Sequence, residues 1–277
     1  MNGPAPPLGC PVCGGAALAR YPAAGRHALL RCASCDLVFS PTEPAPHEIE
    51  RHYSAPYFTG GGVEYADYVA DAATHREQAR RYLDTIAEFT PLPCSVLDIG
   101  CAAGFFLDEA RHRGCRTFGC DVSEYAAAYA AQTLGLEVER AAFLDATLLP
   151  DQVDVATAFN VFEHLTEPRA VVRRLEGVVR PGGCVILETW DYRSLVARLL
   201  RSRWHQWDPP FVPYYYTRRA LAALFPPPAW HMLRYAPTSK RVPLARLWSA
   251  LPNRLSITYA LGDLVLAVFR RESRGAE

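Results

Sequence analysis

The sequence predicts an α/β protein built on a largely parallel sheet, with a small cysteine-rich module ahead of it. Three observations predict this. Val96-Leu97 ends an apolar run and is followed by Asp98, Gly100 and Gly104 and then by Phe105-Phe106-Leu107, which reads as strand, tight glycine turn and helix. Two further apolar runs, 153–159 and 184–189, have the length of buried strands. Cys10-x-x-Cys13 and Cys32-x-x-Cys35 are separated by 18 residues, the spacing of a four-thiolate metal site.

Residues 1–9 are proline-rich and read as a disordered tail. Residues 10–40 form the expected zinc ribbon. Gly14-Gly15 allow the chain to turn back after the first cysteine pair, and Leu37-Val38-Phe39 make a short strand after the second. Four cysteine ligands leave no open coordination position, so Zn2+ on Cys10, Cys13, Cys32 and Cys35 would be structural rather than catalytic. Disulfides fit less well: nine cysteines leave one over, and no charged-then-apolar leader opens the chain. Residues 41–92 read as a linker and an N-terminal helical cap. They hold His52-Tyr53 and Tyr57-Phe58, then a helix over 64–89 with Ala79, Leu83, Ile86 and Phe89 on one face. The sheet domain spans 93–277. Residues 117–123 are its second strand, ending in Asp121, 17 residues after Gly104. Arg180-Pro181-Gly182-Gly183 is a turn before the strand 184–189.

The glycine turn does not fit a dinucleotide fingerprint. In that register the three glycine positions are Gly100, Ala102 and Phe105, and phenylalanine at the third prevents the close helix–strand packing. The stretch 96–104 instead resembles motif I, VLDxGCGxG, of class I S-adenosylmethionine-dependent methyltransferases, with Ala102 where glycine is usual. Further segments resemble the same family in order: Asp121 at the end of the second strand, Asp145–Pro150 (DAxxLP), Asn160–Leu165 (DVLEHL) and the RPGG turn. The resemblance covers about residues 94–190. It implies a Rossmann-like, seven-stranded sheet with an antiparallel last hairpin, supplied by residues 230–238 and 263–269. It also implies S-adenosylmethionine as cofactor. Asp121 would accept hydrogen bonds from the ribose hydroxyls, Asp145 would face the adenine amino group, and Phe143 with Leu144 would cover the ring. Asp98, Gly100, Cys101, Gly104, Val122 and Asn160 complete the implied cofactor site.

In such an enzyme an oxygen, nitrogen or carbon of the acceptor attacks a methyl already activated by positive sulfur, so alignment matters most. A base is needed only if the acceptor must lose a proton early. Asn160, Glu163 and His164 are the candidates. In ubiquinone-pathway O-methyltransferases a similar ExxEH segment binds a divalent ion; Asn160 in place of the first acid weakens that reading here. His164 also reads as a structural residue at a helix start.

Residues 193–254 carry eleven Lys or Arg against one acid, Asp208, on a chain of zero formal net charge. They are also rich in aromatics. One reading is a solvated basic face over an aromatic core. The other is a substrate-cap insertion, about 191–255, that attracts an anionic small molecule and stacks a ring. Tyr57, Trp190, Trp207, Tyr214, Tyr215 and Arg218 are its candidate substrate contacts. Residues 207–217 resemble the WxPPxHLxYFS segment of zinc-ribbon methyltransferases of sugar, polysaccharide and natural-product pathways, with Pro213 where histidine is frequent. Two rivals remain. A zinc-finger ribosomal-RNA guanine methyltransferase would suit the basic, aromatic segment, but zero overall charge and a ribbon that is not basic argue against nucleic acid. A catalytically inactive interaction protein is opposed by intact Asp98, Gly100, Gly104 and Asp121. No run of 18 apolar residues predicts a membrane span. Cys94, Cys101, Cys115, Cys120 and Cys184, scattered through core elements, suit a reducing, cytoplasmic compartment. The oligomeric state stays open.

Overall fold

The computed structural model describes residues 9–24, 27–60, 67–243 and 256–273. In chain order its elements are β1 (Leu18–Arg20), β2 (Leu30–Cys32), β3 (Val38–Phe39), α1 (Pro46–His52), α2 (Ala55–Thr59), α3 (Ala72–Ala87), β4 (Ser95–Ile99), α4 (Phe105–His112), β5 (Arg116–Asp121), α5 (Glu124–Ala128), β6 (Val138–Arg140) and β7 (Val153–Phe159). They continue with α6 (Pro168–Val178), β8 (Val179–Trp190), α7 (Leu195–Leu200), β9 (Tyr214–Tyr215), α8 (Arg218–Leu224), β10 (Trp230–Pro237), β11 (Lys240–Pro243), β12 (Ser256–Tyr259) and β13 (Leu264–Arg271).

Seven strands make the main sheet, in the order β10-β13-β8-β7-β4-β5-β6. The five from β8 to β6 are parallel, and β13 runs antiparallel to both β8 and β10. The two-residue period of a strand covers both faces. Val96 packs with Leu83, Ile86, Leu107 and Ala110 of α3 and α4. Leu97 and Ile99 point the other way, toward Val171 and Leu175 of α6 and Leu221 of α8. β4 lies between β5 and β7, where the strand order reverses. In such sheets the crevice at the carboxyl ends of the strands at this point is the binding site.

Two elements depart from the sequence reading. The cap helix begins at Ala72, and it ends at Ala87, so Phe89 lies beyond it with the Arg234 guanidinium 4.7 Å from its ring. Arg180–Gly183 do not form a separate turn; they belong to β8. Gly182 has φ +78°, and a Cβ on Gly183 would come within 2.6 Å of the Asp154 carbonyl oxygen. The glycines therefore let β7 and β8 approach through an irregular register.

The ribbon is tied closely to the sheet domain. β1, β2 and β3 form an antiparallel sheet whose fourth strand is β9, with Val38 opposite Tyr215 and Phe39 opposite Tyr214. Asp36, 5% exposed, accepts hydrogen bonds from Arg31 Nε (2.6 Å), Arg193 Nη1 (2.7 Å) and Tyr192 Oη (3.0 Å). Cys10, Cys35 and Leu37 share one apolar cluster with Tyr214 and Tyr216. Trp204, Trp207 and Tyr215 are buried beside Leu29 and Val38 of the ribbon. These aromatics pack one part of the chain onto another. Arg246, Trp248 and Arg254 of the expected cap insertion, and residues 1–8 of the expected tail, lie outside the described residues. Among the described residues no helix is long and apolar enough to cross a membrane.

Candidate active site

β4 delivers Asp98 to the crevice. Its carboxylate is 4% exposed and accepts a 2.6 Å hydrogen bond from Thr157 Oγ1 of β7. Burial pushes its pKa up to about 7, and the nearby Asp121 charge adds to the rise against the Thr157 bond. The loop after β4 then wraps over the end of β5. Gly100 and Cys101 donate backbone N–H bonds to the Cys120 carbonyl at 2.8 and 3.2 Å. Ala102 N–H donates to Asp121 Oδ2 and Ser123 N–H to Asp121 Oδ1, both at 2.8 Å. Burial raises the Asp121 pKa as well, against these two bonds.

This loop explains the glycines and their one departure. Gly100 has φ +68°, and a Cβ there would meet the Val161 methyls at 2.6 Å. Gly104, at φ +80°, caps α4, and its Cβ would strike Leu136 and Ala130. Ala102 has φ +47°, a left-handed conformation that favours glycine and costs an L-residue roughly 1–2 kcal/mol.

At the end of β7, Asn160 has φ +55°. Its Nδ2 donates to Glu188 Oε1 at 2.7 Å, and Tyr82 Oη of α3 donates to the same oxygen at 2.5 Å. Glu188 is fully buried, and burial pushes it up to about 7. Tyr82 stacks on Phe159 with ring centroids 3.7 Å apart. Glu163 is 3% exposed, and burial raises its pKa. His164 Nδ1 lies 2.8 Å from the Phe211 carbonyl oxygen and 2.9 Å from Tyr53 Oη. A carbonyl can only accept, so Nδ1 carries the proton and Nε2 keeps its lone pair when the ring is neutral.

Asp98, Asp121, Asn160, Tyr82 and His164 meet in a cavity of about 260 Å³. Of the residues expected from sequence, it is lined by Asp98, Gly100, Cys101, Asp121, Val122 and Phe143, and further by Asn160, His164 and Tyr57. Gly104 lies behind the wall, where it sets the packing of α4. Glu163, buried, and Asp145, exposed, are not among the lining residues. Trp190, Trp207, Tyr214, Tyr215 and Arg218 are not in the wall. Trp207 Nε1 donates to the Arg201 carbonyl at 2.7 Å, Tyr214 Oη donates to Glu43, and Tyr215 Oη accepts from Asp208 N–H. Trp190 sits edge-on to His205, and Arg218 is an exposed first residue of α8. The 207–217 segment reaches the site through Phe211, whose ring stacks on His52 at 4.0 Å.

Tyr53 and Phe58 of the tyrosine-rich stretch line the wall, and the cap adds residues that the sequence reading did not single out, among them Tyr68, His75, Gln78 and Tyr82; Lys240 comes from β11. Tyr82 had a signal, since it lies in the buried stripe of α3 beside Ala79 and Leu83.

The four cysteine sulfurs lie within 4.8 Å of one another, with Cys10–Cys35 at 3.5 Å and Cys13–Cys32 at 3.6 Å, and none is in a disulfide. Zn–S bonds of about 2.3 Å at tetrahedral angles place sulfurs roughly 3.8 Å apart. The donor set and its size therefore fit Zn2+.

A family model described as "Methyltransferase domain" matches residues 72–226. The chain is 31% identical over 144 residues to the ubiquinone biosynthesis O-methyltransferase of Stutzerimonas stutzeri (strain A1501), a match covering 43% of this chain and 62% of the relative. It is 34% identical over 100 residues to the protein of the same name from Aeromonas salmonicida (strain A449), covering 34% and 42%. The chain spans less than two thirds of the length of these relatives. Among solved structures it is similar to magnesium protoporphyrin IX methyltransferase from Synechocystis PCC 6803 with bound S-adenosylhomocysteine, at TM-score 0.58 and 14% identity over 82% of this chain and all of that one. A SAM-dependent methyltransferase from Thermotoga maritima gives TM-score 0.53 and 16% identity with the same coverage. At these identities the likeness is one of fold: a Rossmann-like seven-stranded sheet with its last strands antiparallel.

Proposed function

Because the chain belongs to the methyltransferase-domain family, we propose that it transfers the methyl group of S-adenosylmethionine to an oxygen of a small-molecule acceptor. The observation that carries this reading is the buried Asp98–Asp121 cradle opening into an aromatic-walled cavity. The residues fit the cofactor. Each Asp121 oxygen accepts one backbone N–H and keeps a lone pair for a ribose hydroxyl. Asp98, buried with a raised pKa, suits a cationic ligand that restores its charge. Phe143 offers a face for the adenine. When bound, the cofactor supplies an electrophilic methyl on positive sulfur.

The remaining work falls to the chain. Cap residues Tyr53 and Tyr57 close over the cavity and exclude water, and the walls orient the acceptor. His164 Nε2 takes the acceptor's proton, with the Phe211 carbonyl holding the ring in the required tautomer. Oxygen as the acceptor atom is supported by the relatives' name, O-methyltransferase. The buried state of Trp204, Trp207, Tyr214 and Tyr215 favours a small molecule over RNA, which would need exposed stacking platforms. The ribbon holds one structural Zn2+ on Cys10, Cys13, Cys32 and Cys35.

Calorimetric titration with S-adenosylhomocysteine tests the reading. Binding in the wild type that weakens in Asp121→Ala is expected. A wild-type protein that binds neither S-adenosylhomocysteine nor S-adenosylmethionine overturns it.

A further inference from the structure

Lys240 is the single lysine in 277 residues, where every other basic side chain of the Lys/Arg class is arginine. It stands at the start of β11, half-buried, and lines the cavity. Its strand is seated against the cap: Gln78 Nε2 of α3 donates to the carbonyl of the preceding Ser239 at 3.2 Å. Among the described residues no salt bridge holds the ammonium.

Gln78 lies one helical turn before Tyr82, whose hydroxyl donates to Glu188 of β8, so Lys240 stands toward the β8 side of the cavity, whereas the cradle acids Asp98 and Asp121 belong to β4 and β5. Neither Glu163 nor Glu188 forms a salt bridge with Lys240 among the described residues, and burial raises the pKa of both, Glu188 to about 7. A compact ammonium in a half-buried, aromatic-walled cavity is best matched by an anion that enters with the ligand.

We propose that Lys240 is a specificity residue: its ammonium binds a carboxylate on an aromatic acceptor held in this aromatic-walled cavity. This rests on the methyltransferase reading above and names its acceptor class. Because Lys240 is alone, reductive methylation with 13C-formaldehyde labels only it and the terminal amine, and Lys240→Arg identifies its resonance by removing it. The full-length protein, saturated with S-adenosylhomocysteine, is titrated with 4-hydroxyphenylacetate and with its neutral counterpart 4-hydroxyphenylethanol. The labelled resonance should shift on saturation with the acid. Calorimetry on unlabelled protein should show the acid binding about tenfold tighter than the alcohol, roughly 1.4 kcal/mol. Lys240→Met should abolish that preference, Lys240→Arg should retain most of it, and both should bind S-adenosylhomocysteine as the wild type does. Equal affinity for the two probes, binding of neither, or a preference that survives in Lys240→Met overturns the assignment while leaving the cofactor reading intact. Loss of S-adenosylhomocysteine binding in Lys240→Met overturns it too, by placing the ammonium on the cofactor's carboxylate. No cofactor binding in the wild type is the separate failure of the parent reading.

Discussion

Asp36 in the ribbon and Asp98 in the sheet domain are both buried carboxylates, 5% and 4% exposed, in opposite electrostatic settings. Asp36 is surrounded by the Arg31 and Arg193 guanidiniums and the Tyr192 hydroxyl. Burial works to raise its pKa, but those three partners outweigh it and hold the carboxyl below its ordinary value. Asp98 has one neutral donor, Thr157, and burial lifts it to about 7. Glu188 and Glu163 are likewise raised by burial, although the Lys240 charge works against the rise. A buried acid whose counter-ions are supplied by the chain joins two parts of the fold. One left without them is a place where a ligand can supply the missing charge.

The largest expected effect breaks the ribbon. Cys32→Ser should lose about one equivalent of Zn2+, an interaction on the order of 10 kcal/mol in small metal-folded modules. Residues 9–40 should become protease-sensitive while S-adenosylhomocysteine binding persists. Zinc retained at full stoichiometry in Cys32→Ser would remove the four-thiolate site.

Next, Asp36→Ala should cost about 1.5–3 kcal/mol of stability for each charge-assisted bond that is not replaced by water, with cofactor affinity unchanged. The sign with pH follows from the lowered pKa. The stabilisation is full above the unfolded-state value and is lost as pH falls through the folded value, so wild type and mutant should converge only in acid. Thermal melts that differ equally at pH 3 and pH 7 would contradict this.

Asp121→Ala should weaken S-adenosylmethionine by roughly 1.5–3 kcal/mol per lost charge-assisted bond. It should disturb stability less than Asp36→Ala, since no cation is left behind. Unchanged affinity by calorimetry would place the ribose elsewhere.

Asp98 and Glu188 make a subtler prediction. With folded pKa values near 7, above ordinary carboxyls, the folded protein holds extra protons between pH 4 and 7. Ligand-free stability should therefore decline as pH rises from about 4 to about 7 and level off above it. A cationic cofactor favours ionised Asp98, so binding near pH 6.5 should release up to about one proton, read from calorimetry in two buffers of different ionisation enthalpy. Binding with no proton exchange at that pH would sink the assignment.

The smallest effect is Ala102→Gly. Relief of the left-handed alanine is partly offset by the freer unfolded chain, leaving a gain of about 0.5–1 kcal/mol, or a rise in Tm of roughly 1–4 °C. A lower Tm would mean that the methyl packs usefully.

Legibility in the sequence followed the same division. The cradle was readable because Asp98, Gly100, Gly104 and Asp121 lie within one strand–helix–strand unit, where spacing along the chain maps directly onto space. The cysteine pairs were readable for the same reason. Of the cavity's other wall only the stretch holding Tyr53 and Tyr57 was legible, because Gln78, Tyr82 and Lys240 come together from distant segments that share no period. Glu188 did leave a trace, as an acid inside the otherwise apolar stretch 184–189. Trp207, Tyr214 and Tyr215 were visible as an aromatic cluster, but composition cannot say what aromatics pack against. Here they lie against the ribbon.

The strand that completes the ribbon also sets an order of assembly. Phe39 pairs with Tyr214, 175 residues later. The metal knuckles are local and can close while the rest of the chain is still being made. Their β3 edge must then wait through synthesis of most of the sheet domain for its partner, a contact of high sequence separation and so a late one. An open strand edge invites pairing with the wrong chain. β3 is only two residues long, and that brevity limits what a nascent neighbour could capture before β9 arrives.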